Sequence, residues 1–410
     1  MKTVAKLKLI EFLDGMYFST IITNLFAVSE GVPLYHAVIA QSVFTGTVFL
    51  SEIPTGVIAD KFGRKTSMAL GYFTSAIGLM ALVISPTTIG LYVMNIIRAI
   101  GLSMVSGANE ALLYEASKDE GLDYKKQSSI VLSNGIAGLF VAGIVSGIVY
   151  QVFSSVSFVS LILATVALQL VITAISLTLH DGSKDQSKQK SIVKQELKAF
   201  EMVANTLSLM RKNQTIFALT IAGLMTVCNE YFLYGTVAIH FENLGNVSSF
   251  WAGGAISFGL FVNFILQRYV YKLEDYLTFE KAFALIKLGS ITGYLLLALA
   301  TQNTLVIIIA IATMGVFNIE RPIVSDYANQ ELQSSVRATV LSGMSLASRF
   351  AKMTLTIILG IIVAGGSLRP GFLAQGLFMA VGLAISYWLL VRCGCVRRFK
   401  NVTTEQQPVM

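Results

Sequence analysis

The chain is 410 residues long, 54% hydrophobic and only 13% charged. A soluble domain carries about 25% charged residues, so lipid must be the solvent for much of this apolar surface. The formal charge of +7 sits in short gaps between apolar runs, as juxtamembrane cations do, and forms no stripe that would bind nucleic acid.

A helix needs about 20 apolar residues to cross the hydrocarbon. Met1 to Leu9, with Lys2, Lys6 and Lys8, leads into a long apolar stretch without a small-residue cleavage site, which reads as a first span and not a removed signal peptide. Windows of spanning length then fall at 8–29, 34–59, 67–85, 89–115, 128–152 and 157–179. A second set follows at 215–240, 249–271, 280–300, 304–329, 336–364 and 371–393. The expected fold class is therefore an all-α membrane protein with twelve spans. The segment from His180 to Asn213 is the single long polar stretch, with an amphipathic pattern around Ile192, Phe200 and Val203. The organisation that follows is a six-helix bundle over 1–180, a linker with an amphipathic helix over 181–213, a second bundle over 214–400 and a tail over 401–410.

Cations set the orientation. Lys2, Lys6 and Lys8 precede the first span, Lys61, Arg64 and Lys65 follow the second, and Lys118, Lys125 and Lys126 follow the fourth. The central loop, Lys272, Lys281, Arg337, Arg392, Arg397, Arg398 and Lys400 add to the same side, and Arg369 stands alone on the other. Cationic loops stay in the cytoplasm, so both termini are expected there. Three cysteines, Cys228, Cys393 and Cys395, make no disulfide framework.

The two halves echo each other. Ser128-Ser129-Ile130-Val131-Leu132-Ser133 opens the fifth window, and Ser334-Ser335, followed by Val340-Leu341-Ser342-Gly343, opens the eleventh. Asn109-Glu110 in the fourth is matched by Ile319-Glu320 in the tenth. Six spans separate the copies, so the repeat is parallel.

Between the second and third windows stands Gly56-Val57-Ile58-Ala59-Asp60-Lys61-Phe62-Gly63-Arg64-Lys65. This resembles the cytoplasmic signature of the major facilitator superfamily (MFS), Gly-x-x-x-Asp-Arg/Lys-x-Gly-Arg-Arg/Lys, at every specified position. Gly56 would let a neighbouring helix approach, and Gly63 would permit a tight turn. The resemblance implies the MFS fold, with two pseudo-symmetric bundles, and an inner gate made by Gly56, Asp60, Gly63, Arg64 and Lys65 against the start of the eleventh span, near Ser334, Ser335 and Arg337. Arg98-Ala99-Ile100-Gly101 resembles the family's second motif, whose arginine is linked to proton coupling; a structural ion pair is the alternative. The fifth span carries Gly135, Gly138, Gly143 and Gly147 but lacks the proline of the exporters' antiporter motif, and its glycines are explained as helix packing.

Ionisable residues inside spans are functional candidates by default. Asp14 lies about 10 Å into the first span at 1.5 Å per residue, one turn before Tyr17. Asn229 and Glu230 fall mid-span in the seventh, Glu320 and Arg321 beside Pro322 in the tenth, and Arg349 with Lys352 in the eleventh. Glu52, Glu110, Glu115 and Asp326 lie in the cytoplasmic halves, with Glu110 and Tyr114 on one helix face. Lys287 is expected to snorkel to the inner surface. Burial favours the neutral form of a carboxylate and a neighbouring cation the charged form, and that competition is how a proton is exchanged for a substrate. Asp14, Arg98, Glu230 and Glu320 are thus the proton-coupling candidates, with interhelical ion pairs as the plainer alternative. Tyr17, Glu52, Glu110, Tyr114, Asn229, Arg321 and Arg349 are the cavity candidates, with Phe232, Tyr234, Phe258 and Phe261 as further aromatics.

The resemblance to compact bacterial drug/proton antiporters implies export of a small toxic or antibiotic-like compound by proton antiport in the bacterial inner membrane, by a monomer. Symport of a nutrient and a transporter-derived sensor remain alternatives; Arg98, Arg321 and Arg349 would suit an anionic substrate. An enzyme is not expected. His36, His180 and His240 sit at span ends without ligand spacing, so neither a metal nor a cofactor is expected. The expected partners are a small-molecule substrate, protons and the bilayer, with no nucleic acid.

Overall fold

The computed structural model describes residues 2–19, 23–152, 157–180, 214–227, 231–243, 249–317, 319–320, 324 and 334–393. Among these the secondary structure is entirely helical. In chain order the helices are α1 (Thr3–Gly15), α2 (Thr23–Ser29), α3 (Leu34–Phe62), α4 (Arg64–Ile84), α5 (Thr88–Asp119), α6 (Tyr124–Val152) and α7 (Ser157–Leu177). The second run is α8 (Gln214–Val227), α9 (Tyr231–Asn243), α10 (Ser249–Tyr269), α11 (Phe279–Leu299), α12 (Asn303–Gly315), α13 (Ser334–Ile362) and α14 (Arg369–Cys393). Every predicted window contains described helix, and among the described residues eight helices are long and apolar enough to cross a membrane.

Among the described residues, two windows differ from single uninterrupted helices. The first is split between α1 and α2, with residues 16–19 outside either helix. In the tenth, α12 ends at Gly315, well short of 329. In hydrocarbon such interruptions are tolerated only where the freed backbone groups find partners inside the protein. Here they do. Ser19 N–H donates to Thr165 Oγ1 of α7 at 3.2 Å. After α12, the amide of Asn263 on α10 donates to the carbonyls of Gly315 (3.1 Å) and Phe317 (2.5 Å).

The helices pack as two sets, α1–α7 and α8–α14. In the first, α4 lies against α5 and α7, and α1 against α6. In the second, α11 lies against α14 and α12, and α10 against α12. The sets meet where α3 runs along α13 and α6 along α10, two contacts that the internal repeat exchanges with one another. Ser42 Oγ donates to Met353 O (2.9 Å) on the first seam and Ser257 Oγ to Phe140 O (3.2 Å) on the second. A third link joins α2 to α9, where Asn24 donates to Gly235 O at 3.0 Å.

Glycines set the closest approaches. A Cβ on Gly138 would overlap the Phe12 carbonyl, and one on Gly15 the Gly135 carbonyl, so α1 and α6 touch backbone to backbone. Gly135 and Gly138 of the fifth window therefore serve packing. Gly63 is the whole connection between α3 and α4, with φ 90° and ψ 151°, a region that only glycine enters cheaply. Gly56 is exposed, with nothing within 4 Å of where its Cβ would stand.

Candidate functional site

The interruption after α1 opens a polar group in the interior of the first helix set. Asp14 accepts a hydrogen bond from Gln169 Nε2 of α7 at 3.0 Å. One turn earlier, Glu11 accepts from Asn109 Nδ2 of α5 at 3.1 Å. The Arg98 guanidinium lies 4.6 Å from the ring centre of Tyr17 and 5.7 Å from that of Phe44. Its stem is steered there by Gly78, whose absent side chain leaves the space that the Arg98 methylenes fill. Arg98 is thus held by two aromatic faces, and among the described residues it makes no ion pair with Asp14. The structural ion pair considered for Arg98 is absent there, and Tyr17 serves as its platform.

In the second set, Glu320 lies just beyond the end of α12 and pairs with Lys287 of α11, both side chains being 1% exposed. Lys287 therefore does not snorkel to the surface. Its helix face turns inward, and its charge is met by a carboxylate in the interior and by the Phe283 ring at 5.9 Å. Position along a span cannot reveal such a rotation, because α11 is apolar on every side.

Across the α3–α13 seam Glu52 pairs with Arg349, each about one third exposed. Two cavity candidates on different helix sets are thus brought into contact. At the end of the fold that carries the Gly63 turn, Arg64 pairs with Glu115 and donates to Ala111 O at 3.3 Å. Arg64 is therefore an internal brace between α4 and α5 and not a free surface cation. Beside it Gly107, Glu110, Tyr114 and Tyr124 line a cavity of about 320 Å³, with the two tyrosine rings edge to face at 5.2 Å. Glu110 and Tyr114 share a face, as expected.

The remaining candidates fare unevenly. Asp60 and Arg337 lie on the last turn of α3 and the first turn of α13, with their side chains outside the described ones. Asn229, Glu230 and Arg321 lie outside the described residues, as do Asp326 and the linker over 181–213. Lys65 is half-buried at the start of α4. Phe232 is core and not cavity: it is buried and stacks edge to face on Phe372 at 5.4 Å. Phe258 and Phe261 remain exposed, Phe261 meeting Phe140 at the α6–α10 seam.

Sequence reasoning passed over Glu11, Tyr72, Gln169 and Asn263. Tyr72 of α4 is 3% exposed, and its hydroxyl has no hydrogen-bond partner among the described residues. Glu11 had a signal, since it stands three residues before Asp14 on one helix face. Gln169 had one too, as a lone amide in an apolar run.

The family model described as Major Facilitator Superfamily matches residues 8–348. An uncharacterized MFS-type transporter of Bacillus subtilis (strain 168), YxaM, is 22% identical over 343 residues, covering 82% of each chain. The crystal structure of nucleoside transporter NupG superposes with a TM-score of 0.75 at 15% identity, covering 95% of this chain and 99% of that one. The crystal structure of a D-xylose-proton symporter gives 0.69 at 13% identity, covering 93% and 97%. A bacterial homolog of the human lysosomal transporter Spinster, in an inward-facing and occupied conformation, gives 0.71 at 13% identity and 96% of both chains.

Proposed function

Because the chain belongs to the major facilitator superfamily, a family of membrane transporters, we propose that it exports a small toxic or antibiotic-like compound from a bacterial cell by proton antiport. Alternating access would come from rocking of two six-helix bundles, 1–180 and 214–400, with twelve spans in all. Both termini would lie in the cytoplasm, and a monomer would suffice. The observation that carries the coupling is the position of Asp14 beside the interruption of the first span. Arg98 is near enough for its charge to act on the carboxylate but is held on Tyr17 and Phe44. A carboxylate whose countercharge is near but not in contact can gain or lose a proton as the surroundings rearrange. Glu320, already paired with Lys287, is the weaker candidate of the two.

The inner gate is read from the turn motif. Ile39 of α3 meets Gly360 of α13, Ser42 meets Met353 and Glu52 meets Arg349, an antiparallel register whose extension supports a reading in which Asp60 caps the start of α13 near Arg337. A carboxylate at that helix N-terminus gains up to about 2 kcal/mol from the dipole. The test is a toxicity panel in a host without its own pumps, comparing wild type with Asp60→Asn. Protection by wild type that the variant loses supports export; no protection against any compound, with substrate accumulating in wild-type vesicles, would overturn it.

A second reading is import by proton symport. It is favoured by the similarity to a nucleoside transporter and a D-xylose-proton symporter. Loss of an importer removes growth on a compound, whereas loss of an exporter sensitises cells to one.

A further inference from the structure

Among the described residues, two carboxyl groups and one guanidinium meet in the interior of the first helix set. Glu11 and Asp14 stand one turn apart on α1, and among the described residues neither makes an ion pair. The charged groups acting on them are each other and, on Asp14, Arg98. When both carboxyls are ionised, two negative charges face one guanidinium, and the excess is costly in this medium unless a proton or another cation balances it. Among the described residues the neighbouring elements supply no further cation. From α4 comes the Tyr72 hydroxyl, from α5 the Asn109 amide, from α6 Gly135 and from α7 the Gln169 amide.

What these elements do supply is oxygen. Gln169, 1% exposed, spends its Nε2 on Asp14, and its Oε1 has no hydrogen-bond partner. Covalent geometry keeps that oxygen beside the Asp14 carboxylate. Asn109 repeats the pattern: Nδ2 goes to Glu11, and Oδ1 is left without a partner. The Tyr72 hydroxyl, also without a partner, is close enough to both carboxylates to feel their charge. Glu11 Oε1 points at Gly135, where a Cβ would stand 3.3 Å away, so the glycine keeps that side of the carboxylate clear. Buried polar atoms in native structures are almost always satisfied, and a cluster that is not asks for a ligand. Two carboxylates, two amide oxygens and a hydroxyl are the donor set of a hard cation, with neither the sulfur nor the imidazole that transition metals select.

We infer that the Glu11–Asp14 cluster is a sodium site. One monovalent ion, held by Glu11, Asp14, Asn109 Oδ1, Gln169 Oε1 and the Tyr72 hydroxyl, balances the residual charge. This rests on the reading of the Asp14 group as the coupling site and deepens it: the carboxylates that exchange a proton also load sodium, and the two cations compete.

The test is binding of radioactive sodium to the purified full-length chain in detergent, in mildly alkaline buffer, with choline chloride holding the ionic strength. Saturable binding of one ion per chain is expected, displaced by acid. Glu11→Gln and Asp14→Asn should abolish it, and Glu30→Gln, outside the cluster, should leave it unchanged. Tyr72→Phe removes one oxygen and little else, and should weaken binding by about tenfold or more. Absence of saturable binding to wild type overturns the sodium site even if every variant misfolds, and so does binding that survives in Glu11→Gln and Asp14→Asn. Proton flux driven by substrate is measured in parallel. If it persists while sodium fails to bind, the sodium site falls and the coupling reading stands; if sodium binds and proton flux is absent, the coupling reading falls instead.

Discussion

Replacing Lys287 by Met keeps the length and volume of the side chain but strands the Glu320 carboxylate in a site that is 1% exposed. Removing one partner of a buried ion pair costs about 3–5 kcal/mol, whereas replacing both by uncharged groups of similar shape is close to neutral or stabilising. Glu320 Oε2 has no hydrogen-bond partner among the described residues, so nothing there softens the loss. Lys287→Met should therefore lower the melting temperature of the detergent-solubilised protein by several degrees, read by tryptophan fluorescence. Lys287→Met/Glu320→Gln should recover most of it. The double variant should also keep the pH profile of transport if the pair is structural. A Lys287→Met protein as stable as wild type would refute the burial argument. A double variant as unstable as the single would refute the pairing.

The seam pair makes the opposite prediction. Glu52 and Arg349 are each about one third exposed, and such pairs contribute only about 0–1 kcal/mol. Glu52→Gln should leave the melting temperature within about a degree of wild type yet reduce transport, and the exchange Glu52→Arg/Arg349→Glu should restore part of it in the same vesicle assay. Gly63→Ala forces a side chain into backbone at φ 90° and ψ 151° and should cost about 1–3 kcal/mol, seen as lost thermal stability. Gly138→Ala would drive a methyl into the Phe12 carbonyl; such overpacking costs about 1–3 kcal/mol, and Gly138→Ala should melt below wild type, while Gly107→Ala, with nothing within 4 Å, should not.

The location of the helices was legible because one physical demand, apolar length against a fixed bilayer thickness, acts on every span. The turn at Gly63 was legible because its conformation admits only one residue type. Helix rotation was not, and the errors share that cause. Lys287 was assigned to the surface by its depth along α11, and Phe232 to a cavity by its aromatic character, since apolar spans give no sign of which face meets protein. Glu11 was missed by ranking acids on depth alone, although its spacing from Asp14 was in plain view. The helix ends at Gly15 and Gly315 were hidden for another reason: what stabilises them, Thr165 and Asn263, lies on other helices, far away in the chain.

The repeat that relates the two helix sets holds for packing and fails for charge. The seams α3–α13 and α6–α10 are images of one another, yet the positions matched by the repeat, Glu110 and Glu320, have opposite fates. Glu110 lies on the unbroken helix α5 and is exposed to a cavity; Glu320 lies past the end of α12 and is sealed against Lys287. Among the described residues the first set holds two carboxyl groups, Glu11 and Asp14, without contact cations, while the second pairs Glu320 with Lys287. A transporter needs its halves alike for rocking to exchange one open side for the other. The proposed cation site requires them to be unlike, since it lies in one half only. Packing by small residues and hydroxyls satisfies the first demand at many positions, and a handful of charged side chains is enough to meet the second. Substitutions along the seams should therefore change the balance between conformations, and those at Glu11 and Asp14 should change what the cycle is coupled to.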